Sequence, residues 1–159
     1  MRTATAQRIH PASPIQPPPA ALGHGVTRVA RLAGRAGYIA LSEFGVGVAA
    51  RHALASAFRR LADAPAIILD LRAHRGGDAS TAALVTSYFF ATEAMARERF
   101  ASCPGAAAPE RAVPRLTSAA VDVLVSRETS ALGRAFAANL ARLGRAHVVG
   151  PGPARWASR

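Results

Sequence analysis

Two short apolar runs constrain the fold of this chain more than any other feature. They are AIILDL (residues 66–71) and VDVLVS (residues 121–126), and apolar side chains dominate both. Such runs are typical of strands that are covered on both faces of a parallel sheet. A short turn and then a segment with helical periodicity follow each run. Because parallel strands need a crossover connection, this order predicts an α/β fold with a mainly parallel sheet and flanking helices.

Other regular segments continue the alternation of strands and helices. Further strands are predicted over residues 26–33, 37–44 and 146–150. Helices are predicted over residues 49–64, after Asp78 as the N-terminal cap, and over about 130–143. The whole pattern predicts a single domain.

The domain is expected to occupy residues 26–150. The 159 residues suffice for one domain with its own core. Residues 1–25 form a proline-rich leader that cannot pack as helix or sheet, and residues 151–159 are expected to be irregular. The sequence contains no run of the roughly 18 apolar residues that a membrane span needs. It also lacks the apolar core of a secretory signal, so a cytoplasmic location is the default expectation.

Charge and cysteine content limit the classes of partner and cofactor. The formal net charge is +11, and all 20 basic residues are arginine because the chain contains no lysine. Such a charge attracts nucleic acid at long range. The arginines are spread along the chain and form no recognition motif, so nucleic-acid binding is an alternative rather than the preferred function. The single cysteine, Cys103, excludes an intrachain disulfide and a cysteine-based metal site, and no cofactor or metal is predicted.

Chemistry in such a sheet gathers at the carboxyl ends of the strands. The first candidate end is LDLRAHRGGD, where Gly76 and Gly77 can take backbone conformations closed to other residues. Their N–H groups then suit a developing oxyanion. The alternative is a tight strand-to-helix connection without a ligand. Asp70 and Arg72 in the same segment are expected to form a structural ion pair.

The second candidate end carries three hydroxyl residues, Ser126, Thr129 and Ser130. A strand, a short turn and a helix form the layout that presents a serine nucleophile, but serine and threonine also serve there as ordinary helix caps. A nucleophile needs a base within hydrogen-bond reach. With lysine absent, His74 on the neighbouring turn is the best-placed base; otherwise it is a solvated loop histidine.

Several motifs together point to a family. They are GYI (37–39), ADA (62–64), ILDLR (68–72) followed by Gly76 and Gly77, SYFF (87–90), and the segment with Ser126, Thr129 and Phe136. From about residue 24 to residue 150 the chain resembles the tail-specific, or C-terminal processing, serine peptidases. Within them it is most similar to the branch related to interphotoreceptor retinoid-binding protein modules. The resemblance implies a partial peptidase core of the crotonase and Clp protease type.

The departures from the family pattern bear on activity. Aligned with the family signature, Ala131 takes the place of the nucleophile and Arg134 the place of a glutamate. Pro151 replaces another glutamate, and Trp156 lies approximately where a lysine would be. In this sequence the resemblance does not extend to the family's usual N-terminal helical region or to a recognisable PDZ module. The resemblance therefore implies a truncated, degenerate member of the family.

The preferred hypothesis is a serine-peptidase family member that is catalytically impaired because Ala131 replaces the nucleophile. Its partner would be an extended peptide or protein segment that binds along a sheet edge. One alternative is an active serine hydrolase that uses Ser130 and His74, and another is nucleic-acid binding through arginine. Self-association is expected if apolar surface is exposed. The family is often exported, which competes with the default cytoplasmic location.

Overall fold

The computed structural model describes residues 22–91 and 116–152. Most of the predicted leader and tail lies outside the described residues, as do Cys103 and Trp156. In chain order the elements are β1 (Val26–Arg31), a short 3-10 turn (Ala33–Arg35), β2 (Gly37–Leu41), α1 (Gly47–Arg60), β3 (Ala66–Asp70), α2 (Ala79–Ser87), β4 (Ala120–Leu124), α3 (Ala131–Arg142) and β5 (His147–Val149). Every predicted strand and helix is present, with its ends within a few residues of the prediction.

The strands of the described residues form one sheet in the order β1-β2-β3-β4-β5. Strand β1 is antiparallel to β2, and the pairs β2–β3, β3–β4 and β4–β5 are parallel. A shift of register between Val26 and Arg28 leaves a β-bulge at Thr27 in β1. The predicted α/β class with a mainly parallel sheet is confirmed.

The helices of the described residues cover one face of this sheet and leave the other without a helix. Each parallel connection moves one strand further in the same direction, and such crossovers are right-handed, so α1, α2 and α3 share a face. Burial agrees, because Ile39, Leu69 and Val123 are fully buried, whereas the alternating side chains of Tyr38 and Ile68 are partly exposed. The expectation that β3 is covered on both faces is therefore wrong for the described residues. The face opposite the helices is called the open face below.

Two strand-to-helix turns lie side by side at the carboxyl edge of the sheet. The first turn, residues 71–78, joins β3 to α2, and the second turn, residues 125–130, joins β4 to α3. As predicted, Asp78 caps α2, with its carboxylate accepting from the Thr81 N–H at 3.0 Å. The loop after β2 adds a third wall, where Phe44 pairs with Gly77 of the first turn. The two turns contain the candidate residues His74, Gly76, Gly77, Ser126, Thr129 and Ser130, and Ala131 follows them as the first residue of α3.

Candidate active site

The hydroxyl groups of the second turn are bonded to the first turn. Ser126 Oγ donates to the Arg72 carbonyl oxygen at 2.6 Å. Thr129 Oγ1 donates to the Leu71 carbonyl oxygen at 2.8 Å and accepts from the Ser126 N–H at 2.8 Å. Both hydroxyl groups therefore hold the two turns together. The bond of Thr129 to the Leu71 carbonyl is buried, and a polar side chain is needed there because a buried backbone carbonyl requires a partner.

Ser130 completes this set of contacts as the N-cap of α3. Its Oγ accepts from the Gly133 N–H at 3.1 Å and lies 2.9 Å from Nδ1 of His74. The backbone N–H of Ser130 also donates to the His74 carbonyl oxygen at 2.8 Å. Oγ can donate its own proton to Nδ1 in the tautomer that carries the ring hydrogen on Nε2. The structure thus brings together Ser130 and His74, the nucleophile and base of the alternative hypothesis of an active hydrolase.

His74 is the most perturbed group of the site. Its side chain has 0% exposure, and its ring centre lies 4.5 Å from that of Phe44. Burial lowers the pKa of His74 to about 4, since the charged ring would lose its hydration. The alternative expectation of a solvated loop histidine is wrong for this reason. The imidazole is neutral near pH 7.

The second ring nitrogen of His74 has no hydrogen-bond partner within the part of the chain that the structure describes. Nε2 is buried and contacts no donor or acceptor among the described residues. When Ser130 donates to Nδ1, the ring proton resides on Nε2. A working serine–histidine pair relies on a third group, usually a carboxylate, to orient and stabilise the charged ring. That third group is missing at His74 within residues 22–91 and 116–152.

Gly76 and Gly77 have the backbone conformations that the sequence predicted. Their φ angles are +133° and +118°, a region that favours glycine. The Phe44 N–H donates to the Gly76 carbonyl at 2.8 Å, and a Cβ on Gly77 would collide with the Phe44 carbonyl oxygen. The N–H groups of Gly76 and Gly77 donate to no other described residue, and no hydrogen bond joins either glycine to Ser130. Backbone packing alone therefore requires glycine at position 77.

Ala131 is the first residue of α3 and is exposed. The position that the sequence prediction gives to the lost nucleophile thus opens to solvent, and its side chain is a methyl group. Ser130, one residue earlier, is only partly exposed because it faces His74 and the first turn of the helix. The two positions differ in surroundings as well as in chemistry.

The predicted pair of Asp70 and Arg72 is confirmed. The guanidinium of Arg72 donates through Nε and Nη2 to the Asp70 carboxylate, the shortest distance being 2.6 Å, and Tyr38 Oη donates to the same carboxylate at 2.5 Å. Burial raises the pKa of Asp70, but hydrogen bonds from Arg72 and Tyr38 outweigh it, so the pKa is lowered overall. Asp70 is a buried, charged anchor rather than an acid or base poised near neutral pH.

A groove of about 710 Å³ lies beside the two turns. Residues of both turns line it, among them Arg72, Arg75 and Arg127, whereas neither His74 nor Ser130 does. The described residues contain no cluster of three or more histidine, cysteine, aspartate or glutamate side chains that could hold a metal ion. Over the same ranges, no helix combines the length and apolar character that a bilayer crossing needs.

Comparison with known proteins decides the family. The sequence model of Peptidase family S41 matches residues 35–154 of the chain. The chain belongs to peptidase family S41. This membership confirms the predicted relationship to the tail-specific serine peptidases, while the branch related to interphotoreceptor retinoid-binding protein stays a prediction. No curated protein sequence matches the chain.

Two solved structures of similar fold are considerably longer than this S41 chain. One is a candidate peptidase from Parabacteroides merdae ATCC 43184, with 21% identity, a TM-score of 0.55, and coverage of 79% of this chain and 42% of that one. The other is the photosystem II D1 C-terminal processing protease, with 19% identity, a TM-score of 0.51, and coverage of 80% and 32%. The chain spans less than half the length of either structure, and the similarity confirms the fold.

Sequence reasoning missed two members of the site. Phe44, read as the end of a strand, packs against both the His74 ring and the Phe136 ring. Tyr38, read as a strand former, bonds to Asp70. A signal for the second existed, because alternation places Tyr38 and Asp70 on one face once their strands are neighbours. Nothing in the local sequence indicated which loop would cover His74.

Proposed function

We propose that this S41 chain is a catalytically impaired peptidase homologue that binds an extended peptide or partner segment without cleaving it. The observation that carries the proposal is the environment of His74. A base that takes the Ser130 proton must become an imidazolium, and this one would do so with 0% exposure and no carboxylate beside it among the described residues. The pKa of about 4 expresses that penalty.

The chemistry of the base supports this proposal. General bases work best when their pKa lies near the operating pH. At pH 7, the pKa of His74 leaves its ring a poor proton acceptor. Ser130 Oγ is in addition engaged by the Gly133 N–H, as in an ordinary helix cap. The His74–Ser130 contact therefore serves to fasten the second turn to the first.

The exposed methyl group of Ala131 supports the same conclusion. It occupies the first position of α3, where a nucleophile would gain from the helix N-terminus. An alanine cannot attack a carbonyl carbon, and loss of a nucleophile typically removes several orders of magnitude in rate. What remains for the chain is recognition of a peptide.

A serine-reactive fluorophosphonate probe tests the loss of catalysis. We expect the wild-type chain to label no more than the Ser130→Ala variant, while an active serine hydrolase in the same tube labels strongly. Robust labelling of the wild type that disappears in Ser130→Ala would overturn the proposal.

The 2.9 Å contact between Ser130 and His74 favours a second candidate, an active serine hydrolase. This candidate predicts slow cleavage of unstructured peptides that both Ser130→Ala and His74→Ala abolish. Its rate should rise with pH through about 4, the pKa of His74, and be level near neutrality. Cleavage that is absent, or unchanged in the two variants, excludes this candidate.

Self-association belongs to the same proposal. Val46, Val48 and Val149 are 79%, 67% and 44% exposed, which is unusual for large apolar side chains. Sedimentation velocity over a range of concentrations tests it, and a monomer throughout would contradict it.

A further inference from the structure

The groove beside the turns is separate from the His74–Ser130 contact and has its own chemistry. It opens at the carboxyl ends of β2, β3 and β4, and Ala40 and Asp70 of its lining belong to the open face. Its volume of about 710 Å³ falls within the range of ligand-binding clefts. The β-bulge at Thr27 lies at one side of the groove. Bulges of this kind often occur beside binding sites.

Arginine dominates the charge of the groove. Three arginines line it, against the two carboxylates of Asp70 and Glu128. Asp70 is already neutralised by Arg72, through the contacts described above. The Arg75 and Arg127 guanidinium groups contact no carboxylate within 4 Å among the described residues. The groove thus presents two free guanidinium groups, with Glu128 as the one competing acid of its lining.

The rest of the lining suits an extended backbone. Ala40 and Ala73 add small apolar side chains to the lining, whereas the Leu41 side chain is buried in the core on the helix side of the sheet. Small lining residues admit a chain in β conformation, and Arg75 and Arg127 belong to two different turns. A guanidinium fork matches a carboxylate in geometry and charge.

We propose that this groove binds an acidic peptide segment, with side-chain carboxylates of the peptide on Arg75 and Arg127. The inference rests on the proposed peptide-binding function and adds the chemistry of the partner. It does not require cleavage of the peptide.

Fluorescence anisotropy with a labelled peptide of alternating glutamate and apolar residues tests the inference. We expect the double variant Arg75→Gln/Arg127→Gln to weaken binding at least tenfold. The matched control is Arg59→Gln/Arg60→Gln at the end of α1, which removes the same net charge from an exposed surface outside the groove lining. Because both variants reduce the overall charge of +11 equally, a loss confined to the first is local. Circular dichroism confirms that both variants are folded.

The peptide controls separate this inference from the proposed function. The same peptide with glutamine in place of glutamate, and with an amidated C-terminus in both, should bind at least tenfold more weakly. Equal binding of the two peptides would overturn the inference and leave the binding function intact. Binding of neither would overturn both, while probe labelling decides catalysis independently.

The last comparison is between binding of a single-stranded oligonucleotide and binding of the acidic peptide. Tighter binding of a single-stranded oligonucleotide than of the acidic peptide, lost in the groove variant, would overturn the acidic-peptide assignment. An equal weakening by the groove variant and the α1 variant would also overturn it, since the attraction would then be general to a basic chain.

Discussion

The two strand-to-helix turns have the same plan and different chemistry. Each follows a parallel strand and ends in a cap, Asp78 or Ser130, whose side chain accepts from a backbone N–H near the start of the next helix. The first turn is built on Gly76 and Gly77, and the N–H groups of both glycines bond to no other described residue. The second turn is rich in hydroxyl groups, and all of them are hydrogen-bonded to the first.

The difference shows that each hydroxyl group of the second turn has a structural partner in the first. Ser126, Thr129 and Ser130 are bonded to Arg72, Leu71 and His74 in turn. Thr129 serves a buried backbone carbonyl, Ser130 contacts a buried ring, and Ser126 joins the turns at the surface. In this molecule the second turn is fastened to the first, and the first turn contributes two of the three arginines to the adjacent groove and both free N–H groups.

The largest expected effect on stability comes from Gly77, and it should exceed the effect of the same substitution at Gly76. Gly77→Ala should lower the free energy of unfolding by about 4 kcal/mol, because backbone strain is joined by a collision with the Phe44 carbonyl. Gly76→Ala is the control, since a Cβ there meets nothing within 4 Å and only strain of about 1–3 kcal/mol applies. Urea denaturation measures both. Equal losses would mean that Phe44 does not hold Gly77 as described.

The next largest effect is the pH dependence of the free energy of unfolding, which depends on His74 of the first turn. His74 has a pKa of about 4 when folded and an ordinary value of 6.5, so the unfolded chain binds the proton first as pH falls. Stability should therefore decrease from pH 6.5 to pH 4, by at most about 3 kcal/mol, and His74→Gln should flatten this slope. Urea denaturation at each pH measures it.

Two carboxylates of the same chain, Asp70 and Asp78, affect stability in a lower pH range than His74. Hydrogen bonds hold the carboxyl pKa of Asp70 and Asp78 below the ordinary value of 3.8, so their contribution is lost only at lower pH. An unchanged slope in His74→Gln would contradict the burial of a neutral imidazole.

A smaller loss of stability is expected from substitution of Asp70, the last residue of β3. Asp70→Asn should destabilise the fold by about 2 kcal/mol, because Arg72 loses its charged partner and a buried group is left poorly matched. Asp63→Asn is the matched control, since Asp63 forms its ion pair with Arg31 on the surface, and it should change the melting curve little. Similar losses of stability in both variants would contradict a stabilising role for the Asp70–Arg72 ion pair.

The smallest effect concerns the cap of the second turn. Ser130→Ala should cost about 1 kcal/mol, from loss of the hydrogen bonds to Gly133 and His74. Ser130→Thr keeps a hydroxyl group and should restore most of the stability. Thermal unfolding followed by circular dichroism measures both, and a neutral Ser130→Ala would remove the fastening role assigned to this residue.

Much of the fold followed from local pattern. The apolar runs of β3 and β4, the period of α1 and the cap at Asp78 are short-range features, and the structure has each of them. The prediction for β3 failed on one point, its second face. A continuous apolar run cannot indicate on which side of a sheet the connections fall, because that depends on the order of strands.

The candidate site was less predictable than the fold. Proximity of the two turns followed from parallel strand order, so the pairing of Ser130 with His74 was within reach of sequence reasoning. The burial of His74 was not, since it depends on Phe44, 30 positions earlier in the printed sequence. A pKa depends on such distant neighbours as much as on the residue itself.

The sequence by itself determined the parts: the strands and helices, the glycines of the first turn, and an alanine at the head of α3. Only the tertiary structure decided that His74 is dry and neutral, that all the hydroxyl groups of the second turn are occupied, and that Arg75 and Arg127 share a groove. Secondary structure and turn chemistry are encoded within a few residues. Solvation and charge environment, by contrast, are set by the residues that folding brings into contact from distant positions.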